Sequence, residues 1–344
     1  MSTIWPLPQI EVRDLATVEE TRPVALLTGT RAWEEVNTRL NLPIAIQAEP
    51  NRVDRDYLDS LAAGLPEDVG VVYGVGGGLV SDVAKYIGWA RKLPSVIVPT
   101  SLSQDGFFTA LVAARVDGTV NYVTTGPANM ILIDWEVIRY APRHVRGAAI
   151  IELLTIVTGL LDWRYASERN RNPPSERFMP WAASLMAGIA QQAFRIANDV
   201  GEGKVEALRN LLDLVCMEVQ LTNQLGHNRA QEGSEQIIAY ALEPRATRDR
   251  RPMPYADLVG PSLLVAMALH NQDINNIRDT LMSAGLRLGQ ARPEDISQTI
   301  RDLPQYVRQH DLPFTILHDL EPTADQIAQI MATTGLAAIS ERPI

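Results

Sequence analysis

Short apolar runs alternate with helical patterns in the N-terminal part of the chain. The apolar runs predict buried strands at residues 23–29, 43–47, 69–73, 95–100 and 130–134. Apolar residues at three- and four-residue spacing predict helices between them, at residues 31–40, 53–65 and 81–93. Strands that alternate with helices in this way are typical of a parallel sheet with helices on both faces.

The alternation stops near Pro142, and longer helical patterns follow. Helices are predicted at residues 148–166, 178–198, 204–225 and 258–270. The pattern therefore predicts an α/β nucleotide-binding half followed by an all-helical half. A cleft between two such halves is the expected position of a small-molecule site.

Composition and charge narrow the class of protein. The chain has 344 residues, of which 46% are hydrophobic and 21% charged, as in ordinary globular proteins. The net charge of −10, without a basic block, argues against a nucleic-acid or acidic-membrane partner. We expect a small-molecule substrate and a homo-oligomer.

Neither a membrane span nor a signal peptide is predicted. No apolar run approaches the roughly 20 residues that cross a bilayer. Residues 1–6 lack the basic region and apolar stretch of a signal peptide. Cys216 is the only cysteine, which excludes an internal disulfide and a cysteine-based zinc site. We therefore expect a soluble, cytoplasmic protein.

A glycine run marks the end of the third predicted strand. Gly76, Gly77 and Gly78 stand there, just before the helix that contains Asp82 and Lys85. Glycines at such a turn let the backbone approach a pyrophosphate, whose charge the helix N-terminus favours. Because the order differs from G-x-G-x-x-G, the turn alone is either a phosphate site or a tight strand-to-helix connection.

Four segments carry a more specific signal. They are G-G-G-x-x-x-D-x-A-K at residues 76–85, P-T-S-L-S-Q-D-G at 99–106, a stretch from Ala141-Pro142 to Asp162-Trp163, and G-S-E-Q at 233–236. The order and spacing of these four segments hold over about residues 20–270. In this the chain resembles the superfamily of dehydroquinate synthases and iron-containing alcohol dehydrogenases. Within the superfamily it most resembles the sn-glycerol-1-phosphate dehydrogenases and glycerol dehydrogenases.

The resemblance implies a fold and a cofactor. It implies a Rossmann-like dinucleotide-binding domain over residues 1–145 and an all-α substrate domain, with a degenerate metal site, over residues 146–344. NAD or NADP is the implied cofactor. Its phosphates would lie against Gly76, Gly77, Gly78 and Asp82, and the rest of it along Thr100, Ser101 and Ser103. Asp105 would reach toward the substrate or the nicotinamide, although Asp before Gly is also typical of a plain turn.

The sequence departs from the family at the implied metal site. In the family an aspartate and two histidines hold a divalent metal. Here the corresponding residues are Glu152, Gln236 and Tyr255, and Tyr240 stands where a further histidine is often found. A glutamine carbonyl is a weak ligand, and a phenol must lose a proton with a pKa of about 10 before it binds a metal well. We therefore expect a member of the family without a metal.

Loss of the metal calls for another acid or base, because the metal lowers the pKa of the substrate alcohol. Tyr255 and Tyr240 are candidates, since a phenol can donate a proton to a developing alkoxide. Glu152 and Asp105 are the acidic candidates. The candidate substrate-binding residues are Asp105, Arg229, Glu235 and Gln236. The alternative is that the tyrosines only fill the space left by the metal and the imidazoles.

An arginine-rich loop precedes Tyr255. It contains Arg245, Arg248, Arg250 and Arg251. These side chains either hold a phosphate at the mouth of the cleft or lie in a solvated loop with Asp249 as counter-charge.

The sequence favours an NAD(P)-dependent oxidoreductase that acts, without a metal, on a small polyol, hydroxy-phosphate or carbonyl compound. One alternative is a lyase or cyclase like dehydroquinate synthase, although the lysine-rich segment of those synthases is absent after Pro99-Thr100. Two others are a non-catalytic nucleotide-binding protein and a biosynthetic enzyme with a cofactor-independent reaction.

Overall fold

Six short strands of the N-terminal half form one parallel sheet in a computed structural model that describes residues 4–116, 119–247 and 253–337. These strands are β1 (Gln9–Val12), β2 (Val24–Thr28), β3 (Ile44–Ala48), β4 (Val71–Gly76), β5 (Ser95–Pro99) and β8 (Met130–Ile133). Their order is β1-β8-β5-β4-β2-β3, with each neighbouring pair parallel. The strands β2, β4 and β5 are buried along their whole length, which explains their uninterrupted apolar runs.

Helices cover the sheet, and a small hairpin extends from it. The helices of this half are α1 (Thr30–Val36), α2 (Arg55–Ala63), α3 (Gly78–Arg91), α4 (Trp135–Tyr140) and α5 (Arg143–Arg146). Strands β6 (Leu111–Val116) and β7 (Thr119–Thr124) pair antiparallel, apart from the main sheet.

From Ile150 onward, all the regular elements that the structure describes are helices. They are α6 (Ile150–Glu168), α7 (Pro180–Glu202), α8 (Val205–Leu225), α9 (Ser234–Ala246), α10 (Tyr255–Leu269), α11 (Ile274–Ser283), α12 (Pro293–Gln309) and α13 (Ala324–Thr334). The predicted fold class, an α/β domain followed by an all-α domain, is confirmed. The boundary between residues 145 and 146 stays a prediction.

The five predicted strands and seven predicted helices are all present, with ends shifted by a few residues. The sequence pattern did not predict β1, the β6–β7 hairpin, α4, α5, α9 or the last three helices. Strand β1 has only four residues and two of them, Gln9 and Glu11, are polar, because it lies at the edge of the sheet.

The buried side chain of Asp162 connects three segments of the helical half. Asp162 on α6 accepts hydrogen bonds from the Ser234 amide at the start of α9 (2.7 Å) and from the Ile316 amide (2.9 Å). The Asp162 carboxyl group also lies 3.0 Å from Nε2 of His270, the residue that follows α10. Charge-assisted hydrogen bonds of this kind are stronger than neutral ones, so Asp162 fixes α9 and α10 relative to α6.

In the described part of the chain, no helix has both the length and the apolar character needed to cross a membrane.

Candidate functional site

A cavity of about 1830 Å³ lies between the sheet and the helical half. The turn after β4, the loop after β5 and the β6–β7 hairpin border it on one side. Helices α6, α8, α9 and α10 border it on the other. This is the cleft that the sequence predicts as the small-molecule site.

The glycine turn forms one end of the cavity. Gly76 has a φ of +147°, which side-chain-bearing residues rarely adopt. Gly77 precedes α3, whose N-terminus has no side-chain cap, so its first amides are left for another acceptor. A Cβ added to Gly77 would meet only Ser103 Oγ, at 3.9 Å. The backbone at Gly77 is therefore open to the cavity, whereas the Gln104 side chain occupies the place of a Cβ at Gly78.

Most of the predicted cofactor-binding residues line this cavity. They are Gly77, Gly78, Asp82, Thr100, Ser101 and Ser103, whereas Gly76 lies behind the lining. The Asp82 carboxylate faces the ammonium group of Lys85 at 3.4 Å. The buried Lys85 in turn donates to the carbonyl oxygens of Gly106 and Leu111, both at 2.6 Å. The Asp–Lys motif therefore also holds the loop that carries Asp105 against α3.

The three residues at the implied metal positions lie together. The Tyr255 hydroxyl is 3.1 Å from Glu152 Oε2 and 2.7 Å from Gln236 Oε1. All three side chains line the cavity, and they come from α10, α6 and α9. Because the hydroxyl has a single hydrogen, it donates to one of the two oxygens at a time. We call this set the Glu-Gln-Tyr triplet.

Two further residues, Gln231 and Glu232, line the cavity, and the sequence pattern did not predict them. Gln231 Nε2 donates to Asp105 Oδ2 (3.2 Å) and to Glu152 Oε2 (3.4 Å), so it links the loop after β5 to α6. Glu232 accepts a hydrogen bond from the Tyr122 hydroxyl at 2.8 Å. Tyr122 also lies 2.7 Å from the Tyr240 hydroxyl, so a hydrogen bond joins these two hydroxyls. Gln231 and Glu232 stand immediately before the G-S-E-Q segment, and this position could have identified them as site residues.

Glu218 on α8 is a third residue that was missed. Its side chain is fully buried and lines the cavity. Oε1 accepts a hydrogen bond from the Thr222 hydroxyl at 2.8 Å, and Oε2 has no hydrogen-bond partner among the described residues. Glu218 interrupts an apolar stripe that includes Leu211 and Val215, which is the sequence feature that could have identified it.

Burial shifts the protonation of these side chains. It raises the pKa of Asp105 to about 6 and that of Glu232 to about 7. Burial also raises the pKa values of Glu152 and Glu218 well above the usual range, and the neighbouring carboxyl groups add to this effect. The pKa of the buried Tyr255 phenol is raised in the same way, so this hydroxyl keeps its proton at neutral pH.

Arg229 and Glu235 lie outside the cavity, contrary to their predicted role in substrate binding. Arg229 is buried and donates a hydrogen bond to the carbonyl oxygen of Phe314 at 2.7 Å, just before the short 3₁₀ helix Ile316–Asp319. Glu235 is fully buried and accepts a hydrogen bond from the Gly233 amide at 2.7 Å. Consecutive residues of a helix point about 100° apart, so Gln236 faces the cavity and Glu235 does not.

The arginine-rich loop is described only in part. Arg245 donates to Asp302 at 2.7 Å, so its charge is already paired. Arg248, Arg250 and Arg251 lie outside the described residues.

Comparisons with known proteins agree with the fold and with the resemblance. Residues 11–142 match the family profile described as iron-containing alcohol dehydrogenase. A glycerol-1-phosphate dehydrogenase [NAD(P)+] from Methanothermobacter thermautotrophicus is 30% identical over 246 residues, which are 69% of this chain and 68% of the relative. The enzyme of the same name from Saccharolobus islandicus is 26% identical over 274 residues, covering 77% and 75%.

Solved structures show the same architecture. Glycerol dehydrogenase from Schizosaccharomyces pombe has a TM-score of 0.65 at 19% identity, covering 97% of this chain and 91% of that one. Sulfoacetaldehyde reductase from Bifidobacterium kashiwanohense, solved in complex with NAD+, has a TM-score of 0.63 at 14% identity and covers both chains fully.

The buried carboxyl group of Glu235 predicts a pH-dependent stability. Burial raises its pKa to about 8 in the folded chain, above the usual 4.5. The folded state therefore binds more protons than the unfolded state between these values. The free energy of unfolding should then fall as pH rises from about 4.5 to 8, by up to about 1.4 kcal/mol per pH unit from this group.

Urea unfolding at pH 5, 6, 7 and 8 measures this slope. Glu235→Gln should flatten it and should stabilise the protein relative to wild type at pH 8. Glu168→Gln, an exposed substitution at the end of α6, should leave the slope unchanged. Equal slopes for wild type and Glu235→Gln would show that this carboxyl group does not titrate as described.

Proposed function

Because the chain belongs to the superfamily of iron-containing alcohol dehydrogenases and glycerol-1-phosphate dehydrogenases, we propose that it is a dinucleotide-dependent oxidoreductase that works without a metal. Its proposed substrate is a small polyol, hydroxy-phosphate or carbonyl compound. The observation that carries this proposal is a single cavity with two ends: the open glycine turn at one and the Glu-Gln-Tyr triplet at the other.

The residues at the glycine turn fit a dinucleotide. The backbone at Gly77 is open, and the uncapped N-terminus of α3 favours a phosphate group. Gly77 and the first amides of α3 would face the phosphates of NAD or NADP, and Asp82 lies in the same part of the cavity lining. Gly76, behind the lining, gives the turn its shape through its φ of +147°. Thr100, Ser101 and Ser103 would lie along the rest of the cofactor. When bound, the nicotinamide exchanges a hydride with the substrate carbon.

The residues at the metal positions do not fit iron or zinc. They offer one carboxyl group, one amide and one phenol, and the phenol keeps its proton because burial raises its pKa. The Tyr255 hydroxyl lies within hydrogen-bond distance of both Glu152 and Gln236. Within the described ranges, no cluster of three or more His, Cys, Asp or Glu side chains has the arrangement of a metal site.

The proposed acid is Tyr255. Its hydroxyl would donate its proton to the substrate oxygen when a carbonyl is reduced and take a replacement from the protonated Glu152 carboxyl group. When an alcohol is oxidised, the hydroxyl would pass its proton to the ionised form of Glu152 as its oxygen takes the proton of the alcohol. Glu152, 3.1 Å away and with a raised pKa, would exchange that proton with the hydroxyl. Gln231 donates a hydrogen bond to both Glu152 and Asp105, so it positions these two acids without carrying a proton between them.

Substitution of Gly77 tests the dinucleotide site. The Cβ and methyl groups of Gly77→Val would project into open space, so we expect the fold to be kept and the approach of the phosphates to be blocked. NADH and NADPH affinity should fall at least 10-fold, or about 1.4 kcal/mol. Fluorescence titration measures this effect. Gly188→Val on α7, where nothing lies within 4 Å, is the matched control and should bind as wild type does. Unchanged affinity for Gly77→Val would place the cofactor elsewhere.

Substitution of Tyr255 tests the proposed chemistry. We expect Tyr255→Phe to lower kcat at least 100-fold, within the range that general acids contribute, and to leave NADH affinity unchanged. Tyr240→Phe removes a hydroxyl that contacts Tyr122 and not Glu152, so it should lower kcat less than 10-fold.

The assay uses glycerol and glycerol 1-phosphate with NAD(P)+, and dihydroxyacetone and dihydroxyacetone phosphate with NAD(P)H. Equal kcat in wild type and Tyr255→Phe would remove Tyr255 from the mechanism. Failure of the wild-type protein to turn over any of these four compounds or 2-amino-1,3-propanediol, the amino analogue of glycerol, would contradict the proposed substrate class.

A further inference from the structure

Four carboxyl groups face the helical end of the cavity. We call Asp105, Glu152, Glu218 and Glu232 the acid cluster. They come from separate segments: the loop after β5, α6, α8 and the turn before α9. The single amide of Gln231 lies within 3.4 Å of two of them, Asp105 and Glu152. The fold therefore assembles these acids in one place.

No free cation balances the acid cluster among the described residues that line the cavity. Arg115 forms two hydrogen bonds with Glu243, at 2.9 and 3.0 Å. Arg31 and Arg52 belong to the sheet side of the cavity, on α1 and between β3 and α2. Burial lowers the pKa values of His144 and His227, so both imidazoles are neutral at pH 7.

One oxygen of the acid cluster, Oε2 of Glu218, has no hydrogen-bond partner among the described residues. This side chain is fully buried, lines the cavity, and leaves Oε2 without a hydrogen bond within the described chain. A buried polar group without a partner costs about 1–3 kcal/mol, and more when it is charged. A ligand that donates to Oε2 would remove this cost.

A cationic donor explains four acids better than a neutral one does. Hydroxyl groups of a polyol are bound equally well by amides and hydroxyls, which cost less to bury than carboxylates. An ammonium group offers up to three hydrogen-bond donors together with an opposite charge, and this attraction is strong where water is excluded. Those acids of the cluster that are ionised would repel a phosphate ester.

On these grounds we propose that the acid cluster binds the ammonium group of a small amino alcohol, so that the substrate is an amino polyol or an amino carbonyl compound. This inference rests on the proposed function, since it names the substrate class of the same cavity. An organic ammonium ion suits the cluster better than a metal ion, because no three acidic side chains of the described residues converge as metal ligands do.

Three matched probes test the inference on the wild-type protein. Glycerol and 2-amino-1,3-propanediol differ only in the central hydroxyl or ammonium group, and glycerol 1-phosphate adds a negative charge. Isothermal titration in the presence of EDTA should show that the amino diol binds at least 10-fold more tightly than glycerol. Glycerol 1-phosphate should bind more weakly than glycerol. Equal affinity for the amino diol and glycerol, or tighter binding of glycerol 1-phosphate, would overturn the inference.

Two variants on α8 test whether the preference for the amino diol depends on Glu218. Glu218→Gln keeps the size of the side chain and removes its charge, so the affinity for the amino diol should fall at least 10-fold while that for glycerol changes less than 2-fold. Glu206→Gln, exposed on the same helix, should bind both as wild type does. If Glu218→Gln does not fold, Glu232→Gln takes its place with the same expectation. Full amino diol affinity in the folded variant would contradict the inference.

A parallel NADH titration separates this inference from the proposed function. NADH binding without a preference for the amino diol would overturn the substrate class alone. A preference for the amino diol without NADH or NADPH binding would overturn the dinucleotide-dependent function and leave the ammonium site standing. Amino diol binding that appears only when zinc or manganese is added would show that the cluster is a metal site, against the inference.

Discussion

The cavity depends on the burial of one hydroxyl, that of Tyr255, between Glu152 and Gln236. Each of these three residues comes from a different helix, so their hydrogen bonds fix α6, α9 and α10 relative to one another. Asp162 ties the same helices a second time, through Ser234 and His270. Glu152 and Asp162 are ten residues apart on α6, or about 15 Å along its axis. Two buried polar junctions therefore align the helical wall of the cavity.

The two ends of the cavity have opposite electrostatic character. At the glycine turn, the uncapped amides at the N-terminus of α3 present partial positive charge. At the helical end, the acid cluster presents carboxyl groups without a free cation in the described lining. A ligand pair with phosphates at one end and an ammonium group at the other matches both. The protons that burial retains on these acids keep the helical end from carrying four full negative charges before a ligand binds.

The sequence predicts the fold and one part of the site, for different reasons. Continuous apolar runs predicted β2, β4 and β5, because these strands are buried along their whole length. Helical spacing of apolar residues predicted α6, α7, α8 and α10. The resemblance placed Glu152, Gln236 and Tyr255 at the positions of the family's three metal ligands. The structure brings these three side chains together. The faces of Arg229 and Glu235 were not predictable from spacing alone. Both residues lie within a few positions of cavity-lining residues, and the side to which each side chain turns is set by tertiary packing. Glu218 and Tyr122 were missed because the segments that carry them meet the site only in the folded chain.

We propose dinucleotide-dependent chemistry in a cavity whose metal positions are occupied by the Glu-Gln-Tyr triplet. The most direct test is elemental analysis of the purified protein by mass spectrometry, combined with NADH titration and activity before and after dialysis against a chelator. We expect no stoichiometric iron or zinc, and we expect dinucleotide affinity and activity to be unchanged by the chelator. Stoichiometric iron or zinc that is lost together with activity on chelation, and restored together with it, would contradict the account.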